Sequence, residues 1–132
     1  MTIKNNAPIL YYSLAFVWAG CILFATLAKG GTLTELHLAD LFAYDKPIHM
    51  TLFGMQAWFL IKAKGKNYRG DFMKIVLYAC IISALYGVLT EILQGIFVMQ
   101  GRSFDYFDIL ADAMGCLVVY LLFWRKRKQF AR

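Results

Sequence analysis

Four long stretches of the chain are apolar and nearly free of charge, and polar segments separate them. Residues 9–28 run for twenty positions without a charged side chain, and residues 75–98 for twenty-four with a single one, Glu91. Residues 107–124 form an eighteen-residue stretch with Asp108 and Asp112 near its start. Residues 47–61 span only fifteen positions and include His49 and Gln56. None alternates with a strand period, and strands of a membrane barrel would be about 10 residues long. A membrane-crossing helix needs about 20 predominantly apolar residues. The pattern therefore predicts four helices. The second, about 22 Å long from its helical rise, is short for a crossing and requires its outer end to be shielded by protein.

Between the first two stretches, Thr32 and Glu35 have capping-box spacing, with Thr32 at the N-cap and Glu35 three positions on. Leu33, Leu36, His37 and Phe42 follow at roughly helical spacing. Two readings stand for residues 32–42: a short helix on the outer membrane surface, or a partly ordered loop. No internal repeat, low-complexity tract or linker to a second domain is evident.

Composition narrows the class. Of 132 residues, 61% are hydrophobic and 17% charged, with a mean hydropathy of +0.57. A soluble domain of this size has too little interior to hide so much apolar surface. A soluble enzyme, a disordered chain and a disulfide scaffold are thereby excluded. Cys21, Cys80 and Cys116 all fall inside apolar stretches without a CxxC spacing, which reads as packing rather than redox or metal chemistry.

The net charge of +6 divides by side. With four crossings, Lys4, the basic connection at residues 62–74 and the tail at 125–132 share one side, which collects eleven of the fourteen basic residues. Lys29, Lys46 and Arg102 lie on the other. The positive-inside rule then predicts an all-α, four-transmembrane-helix bundle with both termini cytoplasmic. Trp124, Tyr11 and Tyr12 fit an aromatic belt on that side. The basic tail reads as a topology signal that also meets lipid headgroups, and no nucleic-acid partner is expected. The first stretch is too long for an ordinary signal-peptide core, and cleaving it would break the charge asymmetry.

A carboxylate inside a span costs a few kcal/mol on insertion scales and needs a reason. Glu91 lies about 10 Å inside the outer boundary by helical rise, and Gln94 shares its face. Ala79, Ser83, Gly87, Glu91 and Gly95 recur every four residues, a small-residue row that predicts close approach of another helix and an inward Glu91. Asp105, Asp108 and Asp112, spaced i, i+3, i+7, occupy one narrow stripe of the last helix, with Arg102 their nearest basic residue in sequence. Asp45, Lys46 and His49 bring a third segment to the same outer end. Asp45 and Asp105 each have the alternative role of helix N-cap, and Gln94 that of interhelical glue. Counting Lys46 and Arg102 against Asp45, Glu91, Asp105, Asp108 and Asp112 gives a site charge of −3 with His49 neutral. A half-buried site cannot hold that charge without protonation, a bound cation or access to water.

These segments resemble the VanZ-like family of small bacterial membrane proteins. The resemblance is carried by Lys46-Pro47-Ile48-His49, by Thr90-Glu91-Ile92-Leu93-Gln94, and by the run from Arg102 through Asp108 and Asp112 to Gly115. It covers roughly residues 9–124, so that residues 1–132 read as one VanZ-like transmembrane domain. Where the family usually has Asn, this chain has Asp112. The resemblance implies a multi-pass protein of the bacterial cytoplasmic membrane, linked by name to glycopeptide resistance of the teicoplanin type.

The functional expectation is an outward-facing site for an amphiphilic envelope lipid or a lipid-linked cell-wall precursor. Glu91, His49, Asp108 and Asp112 would supply acid and base. Arg102, Lys46, Gln94, Asp105 and Asp45 would bind the headgroup. A non-enzymatic site that sequesters a glycopeptide or docks a partner is the alternative. A divalent metal on His49, Glu91 and the Asp stripe ranks lower, for want of an HExxH motif or a second site histidine, and because Arg102 is an awkward neighbour for a cation. No metal ligand and no cofactor are assigned on sequence grounds. An ion or proton pathway ranks lowest, because the polar residues stop in the outer half.

Overall fold

The computed structural model describes residues 7–27, 45–65, 70–97 and 104–130. They form four helices: α1 Ala7–Leu27, α2 Asp45–Gly65, α3 Phe72–Ile96 and α4 Tyr106–Phe130. Each overlaps one of the four apolar stretches. The capping-box segment at 32–42 lies outside the described residues. α3 starts where Asp71, in extended conformation, accepts a hydrogen bond from the Met73 N–H at 3.0 Å and so caps the first turn.

Cross-helix contacts set the directions. Down α3 and up α4, Gly95 meets Phe104, Glu91 meets Asp105, Gly87 meets Asp112 and Cys80 meets Cys116, so these helices are antiparallel. Lys46 reaches Asp108, His49 reaches Asp112, and Trp58 packs on Phe123, so α2 and α4 run parallel. The Tyr86 hydroxyl donates to the Ala19 carbonyl and the Gln94 amide to the Thr26 carbonyl, so α1 and α3 are also parallel. α1 therefore begins and α4 ends at the same end of the bundle, together with Lys62, Lys64 and Lys74.

α1, α3 and the Tyr106–Arg127 part of α4 are long and apolar enough to cross a membrane. α2 was expected as a fourth crossing, but it does not qualify among the described residues. Lys46, His49, Gln56, Lys62 and Lys64 dilute its apolar content. It is the central helix, packed against all three others, with Phe53, Ala57 and Ile61 almost wholly buried. One face of the short second stretch is thus shielded by protein, while Thr51, Met55 and Trp58 stay exposed on the other.

Two glycines set the α2–α4 distance. A Cβ on Gly115 would overlap the backbone carbonyl of Met50, and one on Gly54 would sit 3.2 Å from the Gly115 oxygen. Small residues permit this approach between helices in an apolar medium. The core around the crossing holds Phe53, Val76, Ala79, Cys80, Cys116, Val119 and Phe123. The Ser83 hydroxyl donates to the Phe53 carbonyl at 2.7 Å, and the Cys80 thiol to the Cys116 carbonyl at 3.3 Å. Cys80 and Cys116 pack as expected. Cys21 does not, because it faces outward from α1.

The exterior is apolar. Phe16 is 83% exposed, and Leu85, Ile96, Leu110 and Leu121 are also exposed. On a soluble monomer such a surface would be untenable; against lipid it is the expected one.

Candidate functional site

At the end of the bundle opposite Lys62 and Lys64, the start of α2, the end of α3 and the start of α4 converge. Lys46 and His49 lie one turn apart on α2 and face the Asp stripe of α4. The Lys46 ammonium is 2.8 Å from Asp108 Oδ1 and 3.4 Å from Asp105 Oδ2. His49 Nδ1 is 2.8 Å from Asp112 Oδ1, with both side chains buried. With Asp112 ionised the carboxylate can only accept, and Nδ1 is then the donor of this contact. Nε2 lies 3.9 Å from Asp108 Oδ2, beyond hydrogen-bond range. The ring stacks on Phe53, one turn further along α2, with centroids 6.1 Å apart.

Glu91 enters from α3 and is 0% exposed. Its Oε2 accepts the Asp105 N–H at 3.2 Å, and Oε1 has no hydrogen-bond partner among the described residues. Its carboxylate is within electrostatic reach of His49, Asp108 and Asp112. One donor atom from each of His49, Glu91 and Asp108 lies within 4.8 Å of the other two, and all three residues are buried.

Asp105 realises its N-cap role. Its Oδ1 accepts the Phe107 N–H at 2.8 Å, which closes the first turn of α4. That bond, with the Lys46 ammonium in addition, holds its carboxyl below the usual carboxylate range. The Asp108 contact, reinforced by Asp105, raises the Lys46 ammonium above its usual value.

Of the residues singled out by sequence, Lys46, His49, Glu91, Asp105, Asp108 and Asp112 come together. Gln94 points elsewhere: its Nε2 donates to the Thr26 carbonyl at 2.7 Å and ties α3 to α1, its glue role. Asp112, expected as an acid or base, meets His49 Nδ1 through its Oδ1. Lys46, expected on an anionic headgroup, is held by two carboxylates of its own chain. Arg102 and the side chain of Asp45 lie outside the described residues.

Two contributors were not legible as such. Gly87 belongs to the small-residue row, but its particular task is room for Asp112, since a Cβ there would lie 2.5 Å from Asp112 Oδ2. Phe53, under the His49 ring, is signalled only by the i, i+4 spacing.

An apolar groove of about 310 Å³ opens beside the cluster, between α2 and α4. Met50, Thr51, Met55 and Trp58 line one side and Val118 and Val119 the other, with Gly54 and Gly115 at the close approach. Met50 follows His49 in sequence, and Gly115 lies one turn beyond Asp112.

A family model described as VanZ/LLP1 matches residues 12–127. No curated protein and no solved structure matches the chain.

Proposed function

The chain belongs to the VanZ/LLP1 family, and from that premise and the geometry above we propose that it is a bacterial cytoplasmic-membrane protein whose outward-facing cluster receives the headgroup of an amphiphilic envelope molecule. The observation that carries the reading is the pairing of the His49–Asp112 contact at 2.8 Å with an apolar groove that begins at the next residue, Met50. An amphiphile requires both features side by side. A lipid-linked cell-wall precursor or a phospholipid would place its polar head among His49, Glu91, Asp108 and Lys46 and its chain along Met55, Trp58 and Val118. His49, held through Nδ1 by Asp112, is the residue through which the site binds or chemically alters the headgroup.

The same position at the outer surface supports a role in susceptibility to glycopeptides of the teicoplanin type, through access to such precursors. Purified protein in liposomes, supplied with labelled envelope lipids, tests the reading. Saturable binding or a changed headgroup is expected, and both should fall at least tenfold in His49→Gln. The reading fails if none of the lipids binds and His49→Gln cells match wild type in glycopeptide susceptibility. Susceptibility unaltered by substitutions at His49, Glu91 and Asp108 would favour plain sequestration of the antibiotic over chemistry.

A further inference from the structure

We propose that His49, Glu91 and Asp108 bind a divalent transition-metal ion, and that this ion is what attracts an anionic headgroup to an acidic site. The proposal deepens the headgroup reading and rests on it for the ion's purpose, though not for the ion's binding.

Four observations converge. The first is charge. Glu91, Asp105, Asp108 and Asp112 face a single described ammonium, Lys46, a formal sum of −3, and Arg102 with Asp45 adds nothing to it. Such a site repels a phosphate or carboxylate until a cation enters it.

The second is His49. A metal-ligating imidazole characteristically donates its other ring N–H to a carboxylate, which fixes the tautomer and the ring orientation. Here Nδ1 meets Asp112 Oδ1 at 2.8 Å, in a pair with almost no exposure. That contact turns Nε2 toward Asp108, 3.9 Å from its Oδ2, on the side where Glu91 also offers a ligand atom. Asp112 supplies the carboxylate of that pair.

The third is the disposition of oxygens. Asp108 gives Oδ1 to Lys46 and keeps Oδ2 toward Nε2 at 3.9 Å. That separation is too long for a hydrogen bond. It exceeds the donor–donor spacing around a tetrahedral ion with bonds near 2.1 Å by only about half an ångström.

The fourth is Glu91. It is wholly buried, its Oε2 is held by the Asp105 N–H, and its Oε1 has no hydrogen-bond partner among the described residues. One donor atom from each of the three side chains already lies within 4.8 Å of the others. Small rotations of Glu91 and Asp108 close that triangle onto an ion.

One imidazole and two carboxylates suit Zn²⁺ or Mn²⁺ better than Ca²⁺ or Mg²⁺, which prefer all-oxygen shells. Three protein ligands leave a coordination position open. A headgroup oxygen entering from the groove end would take it. With the ion bound, Nε2 acts as a ligand, and the site grips the headgroup through the metal.

The experiment uses the full chain in nanodiscs of phosphatidylcholine, dialysed against Zn²⁺ or Mn²⁺ and analysed for bound metal. One equivalent per chain is expected. Affinity should fall roughly 10–100-fold in Asp112→Asn, the usual effect of losing a carboxylate behind a ligating histidine. Stoichiometric binding should vanish in His49→Gln and Glu91→Gln, with each variant checked for wild-type helical content. Lys46→Met should bind the ion more tightly while holding labelled anionic lipid no better than wild type per bound ion.

Should the buried-site variants fail to fold, pulsed EPR of Mn²⁺-loaded wild type decides, because an imidazole ligand imposes a ¹⁴N coupling. Substoichiometric metal in wild type, equal binding in the variants, or a missing ¹⁴N coupling would overturn the proposal. Headgroup binding that persists without metal would overturn the ion and leave the headgroup reading standing. Stoichiometric metal with no headgroup binding would do the reverse.

Discussion

At the scale of single residues, the cluster is a set of divided allegiances. Asp108 serves Lys46 with one oxygen and faces His49 with the other. Asp105 caps α4, donates its N–H to Glu91 and accepts from Lys46. Its depressed carboxyl pKa has a definite consequence. The stabilisation is present above the unfolded value of about 3.9 and is lost as pH falls through the lower folded value. Asn caps as well as Asp, so Asp105→Asn isolates the charge. Its melting temperature in detergent should lie below wild type near neutral pH, and the two should converge as pH drops below that range. Gln94 has a different task. Gln94→Leu should cost about 1 kcal/mol of stability, the worth of one hydrogen bond, read as a lower unfolding midpoint, while metal and headgroup binding stay at wild-type level.

Between elements, backbone approach decides what the side chains can do. The Gly115 backbone rests on Met50, and only with α2 and α4 that close does His49 reach Asp112. Gly115→Ala puts a methyl into main chain, which cannot rotate away. Overpacking of this kind costs about 1–3 kcal/mol, and the upper end is expected here, with the headgroup site disturbed as well. Gly20→Ala on α1 is the control, since its Cβ meets nothing within 4 Å and its stability should be unchanged or slightly raised. Gly87→Ala is subtler. Its methyl would displace a carboxylate rather than backbone, so it should weaken His49-dependent binding more than it lowers the unfolding midpoint.

As a whole, the molecule separates its charges along the bundle. Lys62, Lys64, Lys74, Arg125, Lys126 and Arg127 lie at one end, and the carboxylate cluster lies at the other. The positive-inside rule assigns the basic end to the cytoplasm. In a variant with its three cysteines replaced, Lys126→Cys should react with a membrane-impermeant maleimide only after cells are opened. Tyr106→Cys, at a position 78% exposed, should react in intact cells. The reverse pattern would place the cluster on the inner face and remove cell-wall precursors as its ligands.

The four helices were legible because their causes are local. Apolar run length, helical rise and the every-fourth-residue row of Ala79, Ser83, Gly87 and Glu91 are written along single segments. So is the gathering of ionisable residues at one end, which follows once antiparallel turns are counted. The partner of each ionisable group was not local. His49 and Asp112 are 63 residues apart, and their contact depends on how deeply two glycines let α2 sink against α4. The parallel packing of α2 on α4 brings Lys46 to the Asp stripe, a pairing 59 and 62 residues apart in sequence. Sequence proximity offered Gln94 to the site, and the rotation of α3 turns that amide to α1. The central position of α2 likewise follows from packing on three neighbours, which lets a short and partly polar helix live among apolar ones. Local periodicity thus determined the helices and the end at which their charges meet. Backbone distance, which no single segment encodes, decided which of those charges touch.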